Sequence, residues 1–197
     1  MACGASPGAG LCAAADVHYL SSGGARAAAV LAADAGFRQV LAERTAVVPE
    51  VRPYRPGEFY QRELPPLRAV LHGIEGLSLL VIDGYVDLDP DGRPGLGAHA
   101  HEVFDVPVIG VAKTVFRTAV HAVPVLRGAS ARPVQVTAVG MPSADAAELV
   151  RSMAGRFRIP DALRRADQLA RTGRPPSPGM PGAVQDQHWH RAPRGWS

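Results

Sequence analysis

The chain has 197 residues, 47% of them hydrophobic and 20% charged, with a net charge of +3. That is enough for one core, and no apolar run approaches the roughly 20 residues of a membrane span. The only cysteines, Cys3 and Cys12, exclude a disulfide framework and match no metal-finger spacing. With no basic region before the small-residue start to suggest a secretory signal, a reducing, cytoplasmic setting is expected.

In chain order, Leu11 to Tyr19 is small and apolar until Asp16 and His18, and predicts a strand. Ser21-Ser22-Gly23-Gly24 is a turn. Ala25 to Ala33 predicts a second strand and Phe37 to Val48 a third, which makes an antiparallel three-strand meander. Arg52 to Gly57 reads RPYRPG, a loop stiffened by prolines around Tyr54 and Arg55. Helical sequence follows, with a break expected at Pro65-Pro66, where a second helix would begin and bury Leu67, Val70, Leu71 and Ile74.

Leu77 to Ile82 is almost wholly apolar, the pattern of a strand covered on both faces, and it ends in Asp83-Gly84. A polar loop to Gly95, a helix over Leu96 to Phe104 and an apolar strand ending at Lys113 complete a β-loop-α-β unit. Such a unit makes its strands parallel neighbours, so Asp83 and Lys113 emerge at the sheet edge where open α/β sheets bind ligands. Phe116 to Leu126 and Pro133 to Val139 predict further strands. Ser143 is placed to cap a helix through Phe157, and Pro160 opens a last helix ending near Arg171. The expected division is a flexible start over residues 1–10, a folded domain over 11–172 and a disordered Pro/Gly/Arg-containing tail over 173–197.

Charge divides along the chain. Residues 1–150 hold 12 Lys+Arg against 15 Asp+Glu, and residues 151–197 hold 9 Arg against 3 Asp. An acidic body beside a basic segment suits a protein that grips an anionic polymer; a solvated helix face with a basic tail is the plainer reading.

Lys113 is the only lysine among twenty arginines. Arginine replaces lysine harmlessly on a solvated face but not where a compact ammonium is required, so Lys113 is a candidate for chemistry. The chain also lacks asparagine, so survival by compositional drift is the alternative. Asp16 lies within a strand of small residues, where a charge is costly unless paired or metal-bound. Glu63 follows the stiff loop, with an ion pair to Arg62 or Arg68 as its plain reading, and Asp83-Gly84 alone reads as a turn. Acids on the first strand, a helix and the fourth strand can gather around magnesium, which takes hard oxygen ligands.

The stretches Asp16-Val17-His18-Tyr19, Pro53-Tyr54-Arg55-Pro56-Gly57, Arg62-Glu63, Asp83-Gly84, Gly97-Ala98-His99 and Gly110-Val111-Ala112-Lys113 occur in this order. Together with Arg158-Ile159-Pro160 and Ala166-Asp167, they make residues 11 to 172 resemble the endonuclease V family, nucleases of deaminated nucleic acids. The resemblance implies an α/β, ribonuclease H-like mixed sheet, the meander followed by parallel strands, flanked by helices. It implies a nuclease domain over 11–172 and Mg2+-dependent hydrolysis, with Mn2+ able to substitute. The cut would fall at the second phosphodiester 3′ to inosine in DNA or RNA, in repair or processing. Asp16 and Asp83 would bind the metal, with Glu63 assisting directly or through water. Lys113 would stabilise charge on the scissile phosphate. Tyr54, held by Pro53, would be a wedge filling the space of an extruded base, and Gly84 would let the backbone approach that base. His99 would lie near the site, or else be a polar group on the surface of its helix, while His18 and His101 would be peripheral. Nucleic acid is the expected partner, no membrane is involved and a monomer is expected.

Three departures stand out. No segment matching the family's N-terminal extension is expected, so DNA contacts made there would be missing. The His or Asp that the family places near the metal after the last strand is met at Val136-Thr137-Ala138-Val139-Gly140 by Gly140, which offers no ligand. The loop Tyr85 to Arg93 differs from the family's glycine- and histidine-bearing version, and Asp87, Asp89 and Asp91 there are either compensating ligands or a solvated acidic loop. Beside the endonuclease stand two alternatives: a homologue that binds nucleic acid without turnover, and an α/β protein with an unrelated small-molecule site.

Overall fold

The computed structural model describes residues 10–55 and 58–173. Residues 1–9, Pro56, Gly57 and residues 174–197 lie outside the described residues, and with them nearly all of the expected flexible start and disordered tail. The elements are β1 (Leu11–Tyr19), β2 (Ala25–Ala32), β3 (Val40–Val48), α1 (Tyr60–Leu71), β4 (Leu77–Asp83), α2 (Leu96–Phe104), β5 (Val108–Ala112), β6 (Val123–Val125), β7 (Val134–Val139), α3 (Ser143–Ser152) and α4 (Asp161–Thr172).

The strands form one seven-stranded sheet in the order β3-β2-β1-β4-β5-β7-β6. The meander β1-β2-β3 is antiparallel and β4 and β5 are parallel neighbours, as expected, and β1 joins them by pairing parallel with β4. The two further strands, whose direction the sequence left open, close the mixed sheet: β7 runs antiparallel to β5, and β6 antiparallel to β7.

Strand alternation sorts the core into two layers. Ala13, Ala15, Ala27, Ala29, Leu80, Ile82 and Val108 pack under Leu67, Val70 and Leu71 of α1 and Leu96 and Ala100 of α2. On the other face, Ala14, Ala28, Val30, Val81, Ile109 and Val111 pack against Ala146 and Val150 of α3 and Leu163, Ala166 and Leu169 of α4. Burying a leucine such as Leu67, 1% exposed, stabilises the fold by about 2 kcal/mol.

Several boundaries differ from expectation. Pro65 and Pro66 lie inside a continuous α1 instead of dividing two helices. A helix-interior proline costs about 3 kcal/mol, and here the buried stripe Pro66, Leu67, Val70 and Leu71 holds the helix on the sheet regardless. Of the strand expected over Phe116 to Leu126, only Val123–Val125 forms. The stretch before it is a loop in which Phe116 and Val120 are 42% and 78% exposed. The third strand starts at Val40, because Phe37 has φ 53° and turns the chain. Ser143 is the first residue of α3, with Pro142 at the cap position and no side-chain cap bond. That helix stops at Ser152, short of Phe157, where the Ala154 amide instead donates to the Gly36 carbonyl at 2.7 Å.

Candidate active site

Parallel pairing sets the site. Ala15 pairs with Ile82, and Asp83 with Val111, so Asp16, Asp83 and Lys113 reach one end of the sheet together. Alternation carries Asp16 and Asp83 toward the α4 layer, because Cys12, Ala14, Leu79 and Val81 face that way. Glu63 comes from α1, in the opposite layer, and is 8% exposed.

The acids act on one another. Burial, and then the charge of Asp83, push the Asp16 carboxyl up to about 7. Burial, and then the charge of Asp16, push Glu63 up to about 8. Each group therefore resists losing its proton until a positive charge arrives. Part of that charge is Lys113, whose ammonium donates a hydrogen bond to Asp83 Oδ2 in an ion pair. Burial works against the Lys113 charge, but the Asp83 hydrogen bond and the charges of Asp83, Asp16 and Asp167 outweigh it and hold the ammonium above its ordinary value.

Glu63 does not form the ion pair with Arg62 or Arg68 that its neighbourhood suggested. Its Oε1 accepts a hydrogen bond from the Tyr19 hydroxyl at 3.2 Å, and the Arg62 guanidinium lies over the Tyr19 ring at 4.2 Å. His99 is no solvated surface group either: its ring stacks on Tyr60 with centroids 3.6 Å apart, joining α2 to α1 three residues before Glu63. His101 is tied by Nδ1 to the Val106 carbonyl at 2.7 Å and serves the end of α2.

Gly84 has φ 147°, in the region that favours glycine, and nothing lies within 4 Å of where a Cβ would project. Gly110 is required by closeness: a Cβ there would stand 2.6 Å from the Gly84 carbonyl oxygen and 2.9 Å from Thr137 Oγ1. Thr137 Oγ1 in turn accepts the Val86 amide at 2.8 Å, so β5 and β7 seat the loop that follows Asp83. Pro53 and Tyr54 lie in the loop before α1, with Tyr54 60% exposed, and Arg52 donates to Gln61 Oε1 at 2.7 Å beneath them. Pro56 and Gly57 of that loop lie outside the described residues.

Gly140 is not at this site. A Cβ there would meet Pro107 at 3.0 Å, at the amino end of β5, whereas Lys113 follows the carboxyl end. The additional acid comes from α4. Asp167 adds its charge to the environments of Asp16 and Lys113 and pairs with Arg171 at 2.9 Å. Its signal in the sequence was an acid flanking the buried stripe Leu163, Ala166 and Ala170. Asp89 is engaged locally, accepting the Arg93 amide at 2.9 Å, and Asp87 faces His121 and Asp89.

Among the described residues, no three His, Cys, Asp or Glu side chains stand close enough together to hold a metal ion as they are placed. The donor set still fits a divalent cation. The donors are hard carboxylate oxygens, and burial together with the neighbouring acids raises two of them, Asp16 and Glu63, a strain that a cation would relieve.

A layered α/β sheet whose parallel strand ends collect several acids beside one lysine defines a site suited to phosphodiester chemistry. The family model for Endonuclease V matches residues 4–142. The Endonuclease V of Streptomyces coelicolor is 35% identical over 192 residues, covering 85% of this chain and 81% of its own length. The crystal structure of the Streptomyces avermitilis Endonuclease V is 34% identical, with TM-score 0.69 over 85% of this chain and 82% of that one. The Ciona intestinalis Endonuclease V, solved with a 23mer DNA containing an inosine followed by a ribo-adenosine, shares the fold at 20% identity, with TM-score 0.68 over 84% of this chain and 86% of that one. The chain belongs to the Endonuclease V family and is an endonuclease by that membership. The reading as an unrelated small-molecule protein, which needed the motif order to be accidental, falls with it.

Proposed function

We propose that this chain is a divalent-cation-dependent endonuclease that hydrolyses a phosphodiester 3′ to inosine in DNA or RNA, with Mg2+ as the natural ion and Mn2+ able to substitute. The observation that carries the reading is the group of mutually repelling carboxylates beside the sole lysine. Asp16 and Asp83 would hold the cation through carboxylate oxygens, Glu63 would assist directly or through water, and Asp167 adds charge from α4. The ion would supply Lewis acidity and a source of hydroxide at neutral pH.

Lys113 sets a fixed positive charge where negative charge develops on the scissile phosphate. Tyr54, exposed and braced by Pro53, is suited to fill the space left by an extruded base. Gly84, with open space in place of a side chain, offers its backbone to that base. His99, stacked on Tyr60, helps fix α1 and thereby Glu63. The domain is proposed to span residues 11–172 and to act as a monomer. Among the described residues, no helix is long and apolar enough to cross a membrane.

The alternative of a binder without turnover drew its support from Gly140, which lies at the other end of β5, and from the Arg-rich C-terminal segment. One assay separates the two readings. The purified protein is incubated with Mg2+ and single-inosine DNA and RNA oligonucleotides, beside Asp83→Ala. Cleavage by wild type that Asp83→Ala abolishes supports the enzyme. Intact substrates in every lane, with Mg2+ or Mn2+, overturn it and leave the binder.

A further inference from the structure

Tyr85 follows Asp83-Gly84 directly, inside the loop that departs from the family's pattern. Its hydroxyl donates to the Thr114 carbonyl at 2.7 Å and accepts from the Phe116 amide at 3.0 Å. Its ring meets Phe116 with centroids 6.1 Å apart. Thr118 Oγ1 adds a bond to the Leu88 carbonyl. These contacts fasten the loop after Lys113 to the loop after Asp83. From the other side, the Arg158 guanidinium donates to the carbonyls of Lys113 and, at 2.8 Å, Pro133.

Resting on the proposed endonuclease reading, we propose that Tyr85 is a positioning residue for Lys113, acting with Arg158 as a two-sided backbone clamp that fixes where the ammonium stands relative to Asp83. Lys113 needs such a clamp because it lies just past the end of β5 and its side chain is 45% exposed. Its ladder bonds end at Ala112, so sheet pairing cannot fix it. A flexible stem there would let the charge wander by an ångström or more, enough to cost a large factor in rate. The tyrosine supplies both an acceptor and a donor to the exposed backbone on either side of Val115.

The solitary lysine makes the test direct, because nitrogen-15-labelled lysine gives one side-chain Nζ signal. Tyr85→Phe keeps the ring and removes both hydrogen bonds. In the full chain it should lower kcat on a single-inosine oligonucleotide about tenfold with KM little changed. It should also speed amide exchange at Phe116 and move the Nζ signal toward that of Asp83→Ala, the reference for an ammonium without its Asp83 partner. An unmoved Nζ signal with wild-type kcat overturns the proposal. Should Tyr85→Phe fail to fold, Arg158→Met decides in the same way, since it keeps an apolar stem and removes the donor to both carbonyls. If wild type itself leaves inosine substrates intact, the endonuclease reading falls, while the Nζ signal and the exchange rate still decide the clamp.

Discussion

At the scale of single residues, the site depends on how each charge is balanced. Lys113 is engaged by Asp83 and surrounded by further acids, so its charge is retained at all moderate pH. Lys113→Ala is expected to cost about 10²-fold in single-turnover cleavage. Lys113→Arg should recover less than about tenfold of that, because a planar guanidinium does not reproduce a compact ammonium. Equal rates for lysine and arginine would remove Lys113 from the chemistry. Glu63 depends on Tyr19, its hydrogen-bond partner at 3.2 Å. Tyr19→Phe should weaken Mn2+ binding about three- to tenfold by calorimetry, the worth of one hydrogen bond of ~1 kcal/mol, with melting temperature little changed. Unchanged affinity would show that Glu63 needs no such anchor.

At the scale of elements, the strands that carry chemistry were legible because they are covered on both faces. Ala13 to Ala15, Leu79 to Ile82 and Val108 to Ala112 are all buried, so their apolar runs could mean little else. The β-loop-α-β order then forced Asp83 and Lys113 to one edge. Phe116 to Leu126 misled because Phe116, Val120 and Leu126 are exposed, and pairing with β7 begins only at Val123. Sequence pattern carries no direct record of which strand finds a partner. Asp167 and Tyr85 escaped notice as site residues for a similar reason: each acts on a segment distant along the chain, and only packing brings them together. The prolines of α1 show packing overruling a local rule. Pro65 is exposed and removes a helix donor, so Pro65→Ala should raise stability in chemical denaturation by about 1–2 kcal/mol, the restored bond being partly offset by a more flexible unfolded chain. No gain would mean that the first turns of α1 are held open by something other than proline.

At the scale of the whole molecule, the acid cluster makes stability depend on pH and on metal. Asp16 and Glu63 have folded-state values raised to about 7 and about 8, above those of an unfolded chain. The folded protein therefore binds protons more tightly than the unfolded one. That contribution is complete at acidic pH below the unfolded values and is lost as pH rises through 7 and 8. With a chelator present, the carboxylates should make the protein melt lower at pH 9 than at pH 6. Mn2+ should restore the loss at pH 9 and matter much less at pH 6, where protons already neutralise the acids. A melting temperature indifferent to both variables would contradict a crowded acidic centre.

The alanines of β1 and β2 have a consequence for this centre. Ala13, Ala14, Ala27, Ala28 and Ala29 are all fully covered, yet each offers only a methyl group to the layer above it. Such short side chains act as thin shims under the two helical layers. Ala27 and Ala29 govern how low α1 sits with Glu63, and Ala28 does the same for α4 with Asp167. Added methyl groups at either level would jack one helix away from the strand end and pull its acid out of reach of Asp16. The blandest stretch of the chain thus works as the gauge that sets the spacing of its most reactive groups.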